Sequence, residues 1–453
     1  MAIENEVDFM DQFHVLDKKD QPRGVYDFAI YQYLKEELPM FVLGGVPYLY
    51  KGGVYLADIS GAKLMSEIRR LIYPEFIRSN TIRRIYNLFI SDDELEVTAD
   101  DLNDYPSHWI CFLNGFYDPV ERRMIPHDPK YRAVNQVPHE FHPDQDPEGE
   151  TVESWLDFIS DDPEDIQMLL EYAGYCLTKD TRQQKFLILT GAGGTGKSLV
   201  IGLIEKAVGS QNISNIPLEK LEQRFAAFGL FGKLLNSCAD LKVTAREDTS
   251  VLKTAVGEDR IEAEAKGKDA FPFRSYAKLL FSVNELPIVK AERTNGFYRR
   301  LLVLTMNRQP EAVDTGFAEK LAREVDYFIF RSMDALSQMY QRGQITESKG
   351  SADAVERLRY DSDTVAAFLR DCTERRQGKH TARKVLYSAY ECYCRDAERL
   401  ALTKNNFYRA MQAKGFPVVV IGGKRCFSGV QFRSADLHLD CTWDAPESGE
   451  IPF

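Results

Sequence analysis

Nothing in the 453 residues approaches a run of about 20 consecutive apolar side chains, so no segment qualifies as a membrane-spanning helix. The acidic start, Met1-Ala2-Ile3-Glu4-Asn5-Glu6, lacks the basic and apolar regions of a secretion signal, and an intracellular protein without a membrane partner is expected. Cysteine is sparse. The eight, Cys111, Cys176, Cys238, Cys372, Cys392, Cys394, Cys426 and Cys441, contain no CxxC pair, so neither a zinc ribbon nor a disulfide framework is indicated, and reduced, mostly buried thiols are expected. The seven histidines form no HxxxH pair. Positive charge is also short: the net charge of −12 argues against a protein that coats nucleic acid with its whole surface. The deficit is uneven, however. Glu140 to Asp165 carries eleven acids and no Lys or Arg, whereas Lys379 to Arg433 carries eleven Lys or Arg against Glu391, Asp396 and Glu398, a local balance of 11 − 3 = +8. The acidic run reads as a solvated linker and helix face, and the basic tail as the place where a polyanion would bind.

What is present begins with Gly191-Ala192-Gly193-Gly194-Thr195-Gly196-Lys197-Ser198, a match to GxxxxGK[ST]. The apolar run Lys185–Thr190 precedes it as a strand candidate, and Leu199, Val200, Leu203 and Ile204 follow at helical spacing. Strand, glycine loop and helix are the setting in which this motif binds a nucleoside triphosphate. The glycines let backbone N–H groups wrap phosphates, Lys197 reaches the β/γ oxygens, and Ser198 holds Mg²⁺. ATP and Mg²⁺ are therefore the expected cofactors, on Gly191, Gly193, Gly194, Thr195, Gly196, Lys197, Ser198 and Leu199.

Hydrolysis needs three further parts: an acid for Mg²⁺ and water, a polar group to position the nucleophile, and a cation for the developing γ-phosphate charge. The strand-like run Lys233–Ala239 ends in Asp240, about forty residues after Lys197, which makes Asp240 the Walker B candidate. A second buried run, Ala277–Val283, delivers Asn284, whose amide can orient water; a turn-forming Asn is the alternative. Tyr298-Arg299-Arg300 stands before a third run, Leu301–Leu304, and one arginine can act on a neighbouring subunit's nucleotide, intrachain ion pairs being the alternative. Between Asp240 and Asn284, Asp259 to Phe273 alternates up to Ala265, turns through Lys266-Gly267-Lys268 and ends in Phe271-Pro272-Phe273. This is a hairpin with a basic tip, suited to following a phosphodiester backbone through Lys266 and Lys268, or else a solvated turn.

Around this core, Tyr48–Tyr50 and Val54–Leu56 flank Lys51-Gly52-Gly53 as one hairpin, and Trp109–Leu113 runs into Asn114-Gly115 as a second. Linker composition at Asp144–Glu150 sets an expected boundary near residue 150. The expected plan is an N-terminal α/β module over 1–150, an ATPase over 151–345, a linking helix within 346–378 (Asp353–Leu369), a basic domain over 379–435 and a tail over 436–453.

Taken together, P-loop, Walker B strand, basic hairpin, sensor asparagine and Arg-Arg pair within about 110 residues resemble the superfamily 3 helicases of the AAA+ class, most of all the helicase part of phage, plasmid and poxvirus primase-helicases. Trp109–Asp118 with Met124–His127 resembles the module preceding the ATPase there, and His380–Arg433 resembles a winged-helix tail, so the likeness covers roughly residues 90 to 435. It implies an α/β fold with a P-loop AAA+ core and a C-terminal winged helix. It also implies a homo-hexameric ring translocating on single-stranded DNA, acting on forked or origin duplex beside a separate primase or other replication proteins. Lys197 and Ser198, Asp240, Lys266 and Lys268, Asn284, and Arg299 or Arg300 take the matching roles. Two departures stand out: Ala239-Asp240-Leu241 offers one acid where relatives show two, leaving Glu247 or Asp248 to assist, and the residues before Trp109 show no paired-aspartate motif for priming. A protein-remodelling AAA+ motor and a replication initiator that binds nucleotide and DNA with little hydrolysis are the rival readings.

Overall fold

The computed structural model describes residues 9–217, 220, 226–239, 255–257, 260–263, 271–286, 295–312, 314–397, 399 and 401–433. They divide into two compact units. The first takes the described residues up to Glu285 together with Arg300–Ser351, and the second takes those of Leu286–Arg299 and from Ala352 onward.

The first unit opens with an antiparallel pair, β1 (His14–Leu16) and β2 (Pro22–Val25), then α1 (Asp27–Glu37), a meander of β3 (Met40–Leu43), β4 (Val46–Lys51) and β5 (Val54–Ala57), and helices α2 (Ala62–Arg70) and α3 (Ser79–Ile90). The expected hairpin is there: Lys51 pairs with Val54 across Gly52 and Gly53, both at positive φ (62° and 94°), the backbone a two-residue hairpin turn demands. Ile30, Leu34, Leu64, Ile68, Ile85 and Phe89 close a small core of their own. A second meander follows, β6 (Ile110–Phe112), β7 (Gly115–Asp118) and β8 (Arg123–Ile125); the expected hairpin is there, but with Phe112 opposite Gly115 its two-residue turn is Leu113-Asn114, one residue ahead of the Asn-Gly pair.

Next come α4 (Glu150–Ile159) and α5 (Pro163–Tyr175), the latter capped by Asp162, whose side chain accepts the Glu164 N–H at 2.9 Å. Packing does not break at residue 150, where linker composition suggested a boundary. Phe112, Tyr117 and Phe141 share one buried core with Trp155, Leu156, Tyr172 and Leu187, because three short strands cannot bury their own face. The acidic run is likewise more than solvated linker: Glu153 pairs with Arg331, Asp161 with Arg308, and Asp165 accepts from Ser160 and Ser348.

The rest of the unit is β9 (Phe186–Thr190), α6 (Lys197–Val208), β10 (Ile213–Ser214), β11 (Leu235–Cys238), the antiparallel pair β12 (Arg260–Ala263) and β13 (Phe271–Arg274), and β14 (Lys278–Val283). After α7 (Asn295–Tyr298), which belongs to the second unit, come β15 (Leu301–Thr305), α8 (Phe317–Arg323) and α9 (Val325–Arg342). Five strands form one parallel sheet in the order β10-β11-β14-β9-β15. Helices cover it, so the central strands are uninterrupted buried runs rather than alternating ones, which is why they stand out in the sequence.

The second unit continues with α10 (Lys349–Ser362), which starts in the first, α11 (Thr364–Cys372), β16 (Thr373–Ala382), α12 (Arg383–Asp396), α13 (Lys404–Ala413), β17 (Val418–Ile421) and β18 (Lys424–Phe432). The single helix expected over Asp353–Leu369 is two, because the Asp363 carboxylate accepts the Ala366 N–H at 2.9 Å and caps a new start. The core of this unit, with Phe368, Tyr390, Phe407, Met411 and Phe427, begins at Val365, ahead of the expected residue 379. Among the described residues Cys111, Cys176, Cys238, Cys372, Cys394 and Cys426 are free thiols, while Cys392 is disulfide-bonded, which the scattered spacing did not announce.

Candidate functional site

Parallel register builds the site. Val283 pairs with Thr190 and Thr305 pairs with the same Thr190, so the next residue of each strand, Asn284, Gly191 and Met306, emerges at one edge of the sheet. Gly191 must be glycine for the strand beside it: its φ is 148°, and a Cβ would press on the Met306 carbonyl well inside the 3.0 Å that real Cβ contacts respect. Gly194 and Gly196 also take positive φ, 81° and 92°, while Gly193 is unconfined.

From that loop α6 starts at Lys197, which is almost fully buried. Its Nζ donates to the carbonyls of Gly191 (2.6 Å) and Ala192 (2.8 Å) and to Asn284 Oδ1 (3.3 Å). Thr195 is buried with its hydroxyl on the Ala192 carbonyl at 3.0 Å, and Ser198 is exposed on the first turn of α6. A cleft of about 720 Å³ opens over this loop, lined by Gly193–Leu199, Ala239, Ser282 and Asn284 together with Trp155, Phe158, Pro310 and Phe317. Its size suits a small-molecule ligand, and its lining combines the loop and the Lys197 cation with apolar side chains.

Three similarities bear on this arrangement. Residues 55–161 match the family described as D5 N terminal like, residues 189–300 a family of unknown function (DUF5906), and residues 360–420 the family described as Poxvirus D5 protein-like. The chain is similar to the phage- and poxvirus-type primase-helicases. In Acanthamoeba polyphaga mimivirus the candidate helicase L207/L206 is 26% identical over 211 residues, 44% of this chain, which spans 22% of that relative's length. Two structures of the NrS-1 C-terminal region share the fold. One has a TM-score of 0.51 at 14% identity over 88% of this chain and 98% of its own. The other has 0.52 at 13%, over 89% and 99%.

The primase-helicase likeness makes the whereabouts of the other expected residues pertinent. Asn284 and the loop residues meet, as their spacing suggested. Asp240, with Glu247 and Asp248, and Lys266 and Lys268 lie outside the described residues, although Ala239 reaches the cleft and β12 and β13 supply the antiparallel base expected beneath the lysines. Arg300 directly precedes β15, whose parallel partner β9 runs from Phe186 to the loop, so it stands at the opposite edge of the sheet from Gly191. One strand, about 17 Å, separates them. Arg299 belongs to the second unit.

At that far edge Lys278 is buried at the start of β14, donating to the Thr178 (2.6 Å) and Tyr276 (3.0 Å) carbonyls above the Tyr175 ring, and burial pushes its ammonium down to about 8. Among the described residues no group of three or more His, Cys, Asp or Glu side chains gathers to hold a metal, and no helix is long and apolar enough to cross a membrane. Sequence reasoning missed Gln309, whose Nε2 donates to the Gly193 carbonyl at 2.7 Å and pins the crest of the loop. No periodicity marks it. Trp155 both packs in the core and lines the cleft.

Proposed function

We propose that the chain is an ATP-dependent replicative DNA helicase of a phage, plasmid or other mobile element, with an AAA+ core of the superfamily 3 type and a winged-helix domain in the second unit. The observation that carries this reading is Lys197 beside Asn284 on a glycine loop at the carboxyl edge of a parallel sheet, the crevice in which such sheets take nucleotides. The strand order, with β14 inserted beside β9, supports the AAA+ assignment, and the order of α11, β16, α12, α13, β17 and β18 supports the winged helix.

In this reading Lys197 and the loop N–H groups would hold the phosphates, and Ser198 with Asp240 would hold Mg²⁺, which would supply charge neutralisation. The exposed Ser198 hydroxyl and the open space around Gly193 fit that occupancy. Asn284 orients the attacking water. Arg299 or Arg300 serves the nucleotide of the next subunit in a homo-hexameric ring; the strand length between Arg300 and its own loop agrees with action in trans. Lys266 and Lys268 grip single-stranded DNA in the pore, the second unit meets forked or origin duplex, and a separate primase completes the machinery.

Steady-state ATPase with and without single-stranded DNA, on a sample sized by native mass, tests this: DNA-stimulated turnover by a ring is expected, and a monomer with no stimulation sinks it. The second reading is a replication initiator or nucleotide switch with weak ATPase, favoured by the lone acid in Ala239-Asp240-Leu241. Tight nucleotide binding with turnover indifferent to DNA would select it.

A further inference from the structure

Strand β16 is an edge strand, next to β18 in the order β16-β18-β17, and its pairing is broken in the middle. Arg375 faces Val430 and His380 faces Ser428, so Arg376-Gln377-Gly378-Lys379 stands opposite the single residue Gly429. Three surplus residues are thrust out of the ladder. Gly378 and Gly429 have φ of 79° and 84° with no atom within 4 Å of a Cβ, so the left-handed backbone, not space, calls for glycine at both. Everything from Glu374 to His380 is exposed. Exposure of this kind on an edge strand needs a reason, and the one on offer is charge.

Arg375, Arg376 and Lys379 lie within five residues, with Glu374 as the nearby acid. Glu374 is engaged by Gln431 across the strand pair and is 3.9 Å from Arg376, while Lys379 makes no hydrogen bond or ion pair among the described residues. At the base of the excursion Arg375 lies 4.6 Å from the centre of the Phe416 ring and donates to the Lys414 carbonyl at 2.5 Å. It lines a cleft of about 510 Å³ shared with Glu374, Arg370, Lys414 and Arg433, in which Arg370 is already paired with Asp371 and Lys414 with Asp363.

We propose that this basic excursion forms a docking site for the phosphodiester backbone of duplex DNA. Single-strand grooves add exposed aromatics on which bases stack. The excursion offers none, and Phe416 at its base is buried beneath Arg375, so the site is built for phosphates. Duplex presents them at the higher density. The site lies in β16 and rests on the reading that the second unit meets duplex: no duplex affinity in the wild type would reject that reading, whereas wild-type affinity with an unchanged salt slope in R376Q/K379Q would reject this site alone.

The test is fluorescence anisotropy of the full chain on a random-sequence duplex, without nucleotide, from 50 to 200 mM salt. Removing two contacts in R376Q/K379Q should flatten the log–log salt slope by about 1.8, shrinking the salt-driven loss of affinity across that range by about tenfold. The charge-keeping R376K/K379R should restore the wild-type slope. Both positions are exposed and outside the core, and near-ultraviolet circular dichroism checks that the variants fold. An unchanged slope in R376Q/K379Q overturns the proposal, as does an equal loss on single-stranded DNA of the same length.

Discussion

Replacing Gly191 by alanine should cost the protein its fold rather than merely its ligand. The backbone there has φ of 148°, a region that side chains other than glycine occupy at about 1–3 kcal/mol. The added Cβ would also collide with the Met306 carbonyl, and that carbonyl cannot step aside freely, because the Met306 N–H is tied to the Thr190 carbonyl at 2.7 Å. Breaking that buried bond adds about 1–3 kcal/mol, for a total of about 2–6. In a unit of this size each kcal/mol lowers the melting temperature by about 2–4 °C, so a fall of about 4–24 °C is expected. Gly193→Ala is the control, since nothing lies within 4 Å of a Cβ there and its φ is not positive. It should melt within about 2 °C of wild type. Thermal melts followed by far-ultraviolet circular dichroism decide the matter. If G191A and G193A melt together, the first glycine of the motif does not serve the neighbouring strand and the steric argument is wrong.

Lys197→Ala should abolish ATP turnover with melting temperature nearly unchanged, since among the described residues the side chain bonds to loop carbonyls and Asn284; wild-type-like turnover would remove it from the nucleotide site. Arg299→Ala or Arg300→Ala should cut turnover by about 10³-fold while sparing nucleotide binding, and doping wild type with the K197A protein should lose activity faster than linearly; a linear loss indicates independent subunits. Lys266→Ala with Lys268→Ala should flatten the salt dependence of single-strand binding by about 1.4 in log–log slope and stop unwinding while basal ATPase persists, so normal unwinding by the double variant would reduce the hairpin to a solvated turn. Lys278 loses its proton near pH 8 when folded but near 10.4 when unfolded, so the unfolded chain holds more protons between those values and stability should rise with pH across that window. In Lys278→Met that rise should shrink, measured by urea denaturation at pH 8 and 10, and an identical slope in both proteins would contradict the burial argument.

The parts legible in the sequence are those with local causes. Phe186–Thr190, Lys278–Val283 and Leu301–Thr305 announce themselves because strands covered on both faces are predominantly apolar, and Gly52-Gly53 because a tight turn needs particular residues. The meeting of Lys197 with Asn284 was legible too, as two strand ends in a parallel sheet. What escaped depends on partners distant in the chain. Gln309 acts on Gly193 across 116 residues, the acids of the 140–165 run find Arg308 and Arg331 far downstream, and the meander at 110–125 borrows its core from α4 and α5. The helix break at Asp363 had a signal, an aspartate three residues before Ala366 within the polar run Asp361-Ser362-Asp363-Thr364, which the expected single helix passed over.

The strand β15 can also be regarded as a machine part. It is gripped along its whole length by β9 and grips the glycine loop at its far end, with the Met306 carbonyl against Gly191 and Gln309 on the Gly193 carbonyl, while Arg300 forms its near end. A strand held by five consecutive pairs to its one neighbour β9 can act as a strut, passing a load applied at Arg300 towards the loop. If an adjoining protomer pulls on that end, the loop is moved without any hinge in between. Hydrogen exchange offers a direct reading, since Arg300→Ala should then alter protection at Thr190 to Gly193, and unchanged protection would show the strut to be slack.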